Sequence, residues 1–315
     1  MVEAPAKPII PTSQVPLPPT VSGLPVIMAE PWLQIDPGPE VFLEGPAFDR
    51  EGNLFITSIF DSRVIKVSSD KKTETVFSQD GLLPNGMAFH RDGRLFIACI
   101  SGKFGWIDPA GGPLHEITAR YQKKPSVGND LVFDRHGNLY VTDWTGTISD
   151  ATGGVYRFAA DFKTVQPVIQ GLVTPNGISL SPDESLLWVG ETNRNQLVCL
   201  MLLEDGLSLH PFDGTKIPWR FAGSHGGPDS NVVDEAGNLY QCVIFQGRIL
   251  VFNPRGLPIA NVLIPGRDKG ECLRTTNAAF KPGTDEVYLT TSGEGGAWIY
   301  TFKGLAKGLT LYSHR

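Results

Sequence analysis

The sequence predicts an all-β fold, a six-bladed β-propeller with blades of about four antiparallel strands. Three observations support this prediction. Short apolar strands recur between turn residues, similar segments begin 41 to 53 residues apart, and no long segment shows helical periodicity. A chain of 315 residues would allow two domains, but a regular repeat along its whole length favours one closed ring.

Each copy of the repeat starts with a polar residue, continues as an apolar strand, turns, and ends in a second apolar strand. The first two copies read EGPAFDREGNLFITS from Glu44 and NGMAFHRDGRLFIAC from Asn85. The remaining copies begin at Asn129, Asn176, Asp229 and, one residue out of step, Thr276. Copies of this length and strand content are typical of propeller blades.

The ring must be closed by a strand from one end of the chain, which also covers a sheet edge that would otherwise be free. Residues 26–35 (VIMAEPWLQI) precede the first copy, and we expect them to pair with AWIYTF at residues 297–302. Residues 1–25 contain seven prolines and lack the apolar core of a signal peptide. We therefore expect a Pro-rich, poorly ordered N-terminal arm over 1–25 and a single propeller domain over 26–315.

Composition limits the partners and the compartment. A net charge of −6 argues against general affinity for nucleic acid or anionic membranes. No apolar run approaches the roughly 18 residues that cross a bilayer. The four cysteines are widely spaced, which indicates buried free thiols in a reducing compartment. We expect a cytoplasmic protein whose partner is a small molecule; the sequence does not define its oligomeric state.

The first position of the repeat is predicted to form a ring of side chains. In a propeller the innermost strands line the central channel, so the residues that begin these strands converge at one mouth. Those positions hold Glu44, Asn85, Asn129, Asn176, Asp229, and Thr276 or Asn277. Two acids among neutral oxygens would repel each other unless a cation lay between them. We therefore predict one divalent metal ion in the channel.

The donor set indicates which metal this is. The ring contains oxygen donors and neither His nor Cys, which favours Ca²⁺ as the single ion, with Mg²⁺, Mn²⁺ or Zn²⁺ as alternatives. The competing interpretation is that these residues only cap strand starts and turns, where Asn and Asp are common. Their shared position in the repeat favours the metal site.

These segments resemble the SMP-30/gluconolactonase/luciferin-regenerating-enzyme family, and among its members the bacterial Drp35-like lactonases most. The similarity runs from about residue 28 to the end of the chain. It includes LEGPAFD, PNGISLSPDESLLWVGET, GPDSNVVDEAGNLY, GRILVFNPRGLPI and LIPGRDKG.

The resemblance implies a metal-dependent lactonase. The family's metal-binding Glu and Asn match Glu44 and Asn176, and a further channel residue matches Asn129. Its acidic ligand and proton shuttle matches Asp229, and the hydroxyl of the Drp35-like PDS motif matches Ser230. The resemblance thus implies that the metal polarises the lactone carbonyl and that Asp229 is the catalytic general acid/base.

Drp35-like proteins also have a second calcium site, which we expect this chain to lack. The matching stretches carry Tyr121 and Lys124 where oxygen donors would be needed. Two other functions remain open. One is a phosphotriesterase-like hydrolase at the same metal site, and the other is a non-catalytic binding propeller stabilised by its metal.

Other residues are weaker candidates for substrate contact. His225 lies five positions before Ser230, Asn85 belongs to the ring, and Arg274 lies in the polar segment 264–277, a candidate lid. Aromatic side chains near the blade tops could line a pocket, although packing is the commoner role: Phe60, Trp144, Trp219 and Phe221. These residues do not specify which lactone would be bound.

Overall fold

The computed structural model describes residues 15–123 and 127–315 and forms an all-β ring of six blades. The chain enters through two short strands, β1 (Val26–Met28) and β2 (Glu30–Asp36). From the channel outward, blade 1 is β3 (Leu43–Phe48), β4 (Leu54–Ser58), β5 (Arg63–Val67) and β6 (Thr73–Ser78). Blade 2 is β7 (Pro84–Phe89), β8 (Leu95–Cys99), β9 (Phe104–Ile107) and β10 (His115–Glu116).

The next three blades repeat this order. Blade 3 is β11 (Gly128–Phe133), β12 (Leu139–Asp143), β13 (Gly153–Phe158) and β14 (Val165–Leu172). Blade 4 is β15 (Pro175–Leu180), β16 (Leu186–Glu191), β17 (Gln196–Met201) and β18 (Thr215–Arg220). Blade 5 is β19 (Gly227–Val233), β20 (Leu239–Ile244), β21 (Arg248–Phe252) and β22 (Pro258–Leu263).

Blade 6 closes the ring with strands from both ends of the chain, as predicted. It consists of β23 (Arg274–Phe280), β24 (Glu286–Ser292) and β25 (Ala297–Lys303), with β2 antiparallel to β25 at its outer edge. The predicted closing strand is divided, because β1 pairs in parallel with β22 of blade 5 instead. Ala29, buried between β1 and β2, marks the crossing from one blade to the next.

Helical structure among the described residues is limited to short 3₁₀ turns: Tyr121–Lys123, Thr192–Arg194, Arg267–Lys269 and Tyr312–His314. Within the described ranges, no helix is long and apolar enough to cross a membrane. All four cysteines are buried and free.

Part of the predicted N-terminal arm contacts the propeller. Residues 1–14 lie outside the described residues. Val21 is buried, and its carbonyl accepts a hydrogen bond from Asn261 Nδ2 at 2.9 Å on the outer strand of blade 5. Arg267 Nη2 donates to the carbonyl of Val15 at 2.6 Å. The domain boundary at residue 25 stays a prediction.

In three blades, the turn that the repeat predicted is held by the same pair of Asp–Asn hydrogen bonds. In blade 1, Asp49 accepts hydrogen bonds from the Asn53 backbone at 2.7 Å and from its side chain at 2.8 Å. Gly52, between them, has φ of 83°, a left-handed conformation that glycine adopts without strain. Asp134 with Asn138 and Asp234 with Asn238 repeat both bonds. The Asp-x-x-Gly-Asn sequence therefore fixes the hairpin between the first two strands of these blades.

The middle of each blade pairs an inner-strand residue with an aromatic residue on the second strand. The six pairs are Ala47–Phe55, Ala88–Phe96, Val132–Tyr140, Ser179–Trp188, Val232–Tyr240 and Ala279–Tyr288. Paired residues lie on the same sheet face. Blades diverge from the channel axis, so small side chains fit near the axis and aromatic rings fill the wider space farther out. All six rings are buried.

We predict that Phe55→Ala lowers the free energy of unfolding by about 3–5 kcal/mol, because it leaves a cavity where one of these six buried rings packs. Phe55 is fully buried and packs edge-to-face on Phe89 of blade 2. The matched control is Phe60→Ala, since the Phe60 side chain is 67% exposed and should change stability by less than about 0.5 kcal/mol. Urea denaturation of the two variants checks the prediction, and equal losses would contradict it.

Candidate active site

A backbone irregularity occurs near the start of every inner strand, at the end of the channel that we call the upper mouth. The strand register shifts between Glu44 and Ala47 in blade 1. The corresponding shifts follow Pro84, Gly128, Pro175, Pro228 and Thr275. A β-bulge re-aims side chains and is frequent next to active sites. Here it brings two consecutive residues per blade to the upper mouth.

Glycines let neighbouring inner strands approach each other closely at this level. A Cβ on Gly177 would lie 2.4 Å from Ser230 Cα in the next blade, and one on Gly86 would lie 2.6 Å from the Asn129 carbonyl oxygen. Side chains larger than hydrogen are therefore excluded at both positions. The NG pairs of the repeat follow from this contact: Asn points into the ring and Gly allows the ring to close.

Three buried carboxylates meet at the upper mouth. Glu44 and Asp229 were predicted from the repeat, and the structure adds Asp130, which is 6% exposed. Burial and the nearby charge of Asp130 raise the pKa of Glu44 to about 8. Burial raises the pKa of Asp130 to about 6, so Asp130 ionises first and then opposes ionisation of Glu44. Burial, followed by the charge of Glu44, raises the pKa of Asp229 well above its ordinary value.

Amide and hydroxyl groups connect these acids. Asn277 Nδ2 donates to Glu44 Oε2 at 2.8 Å, and the side chain of Asn176 hydrogen-bonds Asp229 and lowers its pKa in part. Ser230 Oγ lies 3.5 Å from Glu44 Oε1 and 3.4 Å from Asn176 Oδ1. These contacts bring Glu44, Asn176, Asp229 and Ser230 together, as the sequence predicted.

Blade 6 supplies Asn277 to the ring, which decides between the two residues left open by the sequence. Thr276 Oγ1 instead donates to the Leu43 carbonyl at 2.7 Å and joins blade 6 to blade 1. The physical reason is that the bulge of β23 lies between Thr275 and Asn277.

Two amide oxygens of the ring are buried without a hydrogen-bond partner among the described residues, Asn85 Oδ1 and Asn129 Oδ1. A buried carbonyl oxygen without a donor is costly and calls for an explanation such as a bound ion. Both belong to the predicted ring, and Asn85 has the same position in blade 2 that Glu44 has in blade 1.

The ring therefore fits a hard cation better than a soft one. Its donors are carboxylate, amide and hydroxyl oxygens, the ligands that Ca²⁺ and Mg²⁺ take. Among residues 15–123 and 127–315, His, Cys, Asp and Glu form no metal-binding cluster of three or more by themselves. An ion at this mouth would consequently need the amide oxygens as well as the carboxylates.

The weaker candidates lie around the mouth, outside the hydrogen-bonded ring. His225 is exposed and contacts Phe245 with 4.4 Å between ring centroids, whereas Ser230 Oγ lies beside Glu44 Oε1 and Asn176 Oδ1. Arg274 donates to the Pro39 carbonyl at 2.8 Å. The geometry therefore does not support a Ser230–His225 nucleophile and base.

The predicted lid and aromatic residues have mixed positions. In the segment 264–277, residues 274–277 belong to the inner strand β23, so the loop is shorter than predicted. Phe60 is exposed and contacts Phe42 edge-to-face, and Trp144 follows β12 at the upper mouth. Trp219 and Phe221 pack on Phe252 between blades 4 and 5. Lys124 lies outside the described residues, so absence of a second calcium site stays a prediction.

Asp130 is the functional candidate that sequence reasoning missed. It follows Asn129, where the copies starting at Asn85 and Asn176 have glycine in the second position. A carboxylate replacing a glycine next to a ring residue was the available signal. Because the bulge exposes both positions to the mouth, Asp130 contributes its charge together with the ring.

The fold and site define a class: a six-bladed propeller with buried acids and amides converging at one mouth of its channel. The sequence profile of the SMP-30/Gluconolactonase/LRE-like region matches residues 42–293, and the chain belongs to this family. It is similar to the lactonase drp35 of Staphylococcus saprophyticus, with 42% identity over 310 residues, 95% of this chain and 94% of that protein. Identity to the lactonase drp35 of Staphylococcus haemolyticus is 43%, over 92% of each chain.

Solved structures share the architecture at lower identity. The calcium-binding protein regucalcin from Agrobacterium tumefaciens has a TM-score of 0.73 and 21% identity, covering 90% of this chain and 98% of that one. A gluconolactonase from Xanthomonas campestris has a TM-score of 0.69 and 21% identity, covering 86% and 88%. At such identities the likeness establishes the six-bladed fold.

The three raised pKa values predict how pH changes stability in the chelator-treated protein. An acid whose pKa is higher in the folded than in the unfolded state stabilises the fold while protonated, so stability falls as pH rises between the two values. For Glu44 that window runs from about 4.5 to about 8. We expect the free energy of unfolding in chelator to decline across this window, as measured by urea denaturation at each pH.

The control for this prediction is Glu44→Gln, which removes the titration and keeps the shape of the side chain. Burial lowers the pKa of His90, which contributes a slope of the opposite sign below about pH 6.5, so the difference between the two proteins isolates Glu44. The variant should show a shallower decline. Identical slopes for both proteins would show that Glu44 is not protonated in the folded state.

Proposed function

We propose that the protein is a metal-dependent lactonase that hydrolyses a small-molecule lactone to the hydroxy acid at the upper mouth. One observation carries this proposal: the three buried acids Glu44, Asp130 and Asp229 form no ion pair with Lys, Arg or His among the described residues. The similarity to staphylococcal lactonases extends over nearly the full length of both chains and supports the same function.

A single divalent cation, Ca²⁺ in the first instance, would balance these charges. We assign Glu44, Asn129, Asn176, Asp229 and Ser230 as its ligands, and add Asp130 on the ground of its charge. Mg²⁺, Mn²⁺ and Zn²⁺ are the alternatives that the assay must compare. When bound, such an ion would polarise the lactone carbonyl and lower the pKa of a water molecule.

Asp229 is the proposed general acid/base. As a carboxylate it would accept a proton from the attacking water and then return it to the ring oxygen that leaves as an alkoxide. Asp229 therefore ends the cycle in its starting protonation state, and the product acid ionises in solution and releases one proton. The side chain of Asn176 hydrogen-bonds Asp229 and would orient it for both transfers.

The raised pKa of Asp229 makes this role conditional. With Glu44 and Asp130 uncompensated, Asp229 favours its protonated form, which cannot act as a base. Function as a base therefore requires the charges around it to be neutralised. This requirement links metal dependence and proton transfer in one site.

The compartment is also a proposal. Four buried, free cysteines suit a reducing environment, and we infer a cytoplasmic location from them. With the net charge of −6, this suits a small-molecule substrate better than nucleic acid or an anionic membrane.

The proposal predicts that Asp229→Asn lowers kcat about 10²- to 10⁴-fold, the range supplied by general acid/base catalysis. The measurement is proton release from a panel of lactones by the chelator-stripped protein given back Ca²⁺, Mg²⁺, Mn²⁺ or Zn²⁺. The matched control is Asp213→Asn, at an exposed residue paired with Lys216, which should retain activity.

The same assay separates the alternative functions when phosphotriesters are added to the panel. Metal-dependent turnover of phosphotriesters without lactones would indicate the phosphotriesterase-like function. A metal-induced rise in melting temperature, with no turnover of either class, would indicate a binding propeller with a structural metal. Either result would overturn the lactonase proposal.

A further inference from the structure

Below the ring, the channel widens into a cavity of about 150 Å³. We call this space the lower chamber. Its walls are the later residues of the inner strands, mostly apolar: Met87, Leu131, Phe133, Ile178, Leu180 and Phe280. A cavity of this size with such a lining is large enough for a molecule of one aromatic ring.

The C-terminal segment, residues 308–315, forms the floor of the lower chamber. Tyr312 is buried, and its ring lies 5.1 Å from that of His90 and 5.5 Å from that of Phe133. Arg50 Nε donates to the Ser313 carbonyl at 2.8 Å. The segment thus crosses from blade 6 to blades 1, 2 and 3 and covers part of the channel opposite the upper mouth.

Polar groups that border the lower chamber bind one another. Ser179 Oγ donates to Asn231 Oδ1, and Asn231 Nδ2 donates to Gln241 Oε1 at 3.1 Å. Asn277 uses its side chain to bind Glu44 and the Ala278 amide. An ordered water needs two to four free polar partners, and these side chains offer few. Asp130, at the roof, accepts a hydrogen bond from the Leu131 amide at 2.8 Å, and Arg135 and Glu184, which also border the chamber, pair with each other at 2.9 Å.

The channel therefore has two chemically different halves. The upper mouth presents oxygen atoms and negative charge, whereas the lower chamber presents aliphatic and aromatic carbon. Small inner-strand residues that pair with the buried aromatic rings, Ala88 and Ala279 among them, line the chamber and leave its centre open. Packed interiors contain few voids larger than a water molecule, so a chamber that all six inner strands leave open suggests an occupant.

We propose that the lower chamber is a second binding site, distinct from the upper mouth, for a small uncharged ligand with a single apolar ring. The apolar walls supply the affinity, and the volume of the chamber limits the ligand to about one ring. Charged ligands are disfavoured because the charged groups that border the chamber already have partners: Arg135 pairs with Glu184 at 2.9 Å, and Arg315 Nε donates to the Thr310 carbonyl at 3.2 Å.

Toluene is the probe for the first test, with melting temperature as the readout. We expect toluene to raise the melting temperature of the full-length protein by about 2 °C at several times its Kd. Ala88→Leu and Ala279→Leu, which fill the chamber from two blades, should each abolish the shift. Ala236→Leu is the matched control at an exposed turn and should keep it.

The second test locates the ligand and needs neither turnover nor a filled variant that folds. Crystals soaked in bromobenzene should show a bromine peak between Leu131, Ile178 and Phe280. No shift in the wild type, a shift that persists in both filled variants, or a peak found only elsewhere would overturn the proposal. None of these readouts depends on the upper mouth being catalytic, so failure here is distinguishable from failure of the lactonase proposal.

Discussion

Mutual repulsion among Glu44, Asp130 and Asp229 is the constraint on which the rest of the structure depends. Charges a few ångströms apart in a buried site repel strongly because little solvent screens them. The bulges of the inner strands aim these acids at one mouth, and the glycines beside the ring keep them close together. Threonine hydroxyls hold neighbouring blades at this level: Thr57 Oγ1 donates to the Asn85 carbonyl at 3.0 Å and Thr142 Oγ1 to that of Asn176 at 2.7 Å. The ring therefore destabilises the fold, and packing within the blades offsets this cost.

The packing of each blade shows how this loss of stability at the ring is offset. Every blade places a small residue or serine near the axis and an aromatic ring farther out, so that the blades fit as wedges around the channel. The same small residues that allow this fit leave the lower half of the channel open. The polar ring and the apolar chamber consequently occupy opposite halves of one channel. Successive residues of the same six inner strands form both halves.

The sequence predicts the architecture well because the determinants are local and repeated. The Asp-x-x-Gly-Asn hairpin, the NG pairs and the aromatic in the second strand all recur at the blade spacing. Glu44, Asn176 and Asp229 lie together as the repeat predicts, and Ser230, which the family resemblance indicated, lies beside them. Asp130 was missed because a bulge changes which side chain faces the channel. The alternation of apolar and polar residues in the sequence does not reveal a bulge. The division between β1 and β2, and the chamber floored by the C-terminal segment, depend on contacts between distant parts of the chain.

Closure of the ring by β2 has a consequence for how the molecule is made. β2 pairs with β25, more than 260 residues later in the chain. A ribosome therefore makes the closing strand before any blade and its partner only after the other five blades, so β2 has no native edge to join until blade 6 is made. Non-local pairing of this kind slows folding and leaves strand edges exposed to other chains. Blade 6 is thus where assembly of the protein is completed, and where incomplete molecules would be open to chaperones, proteases or pairing with a second copy.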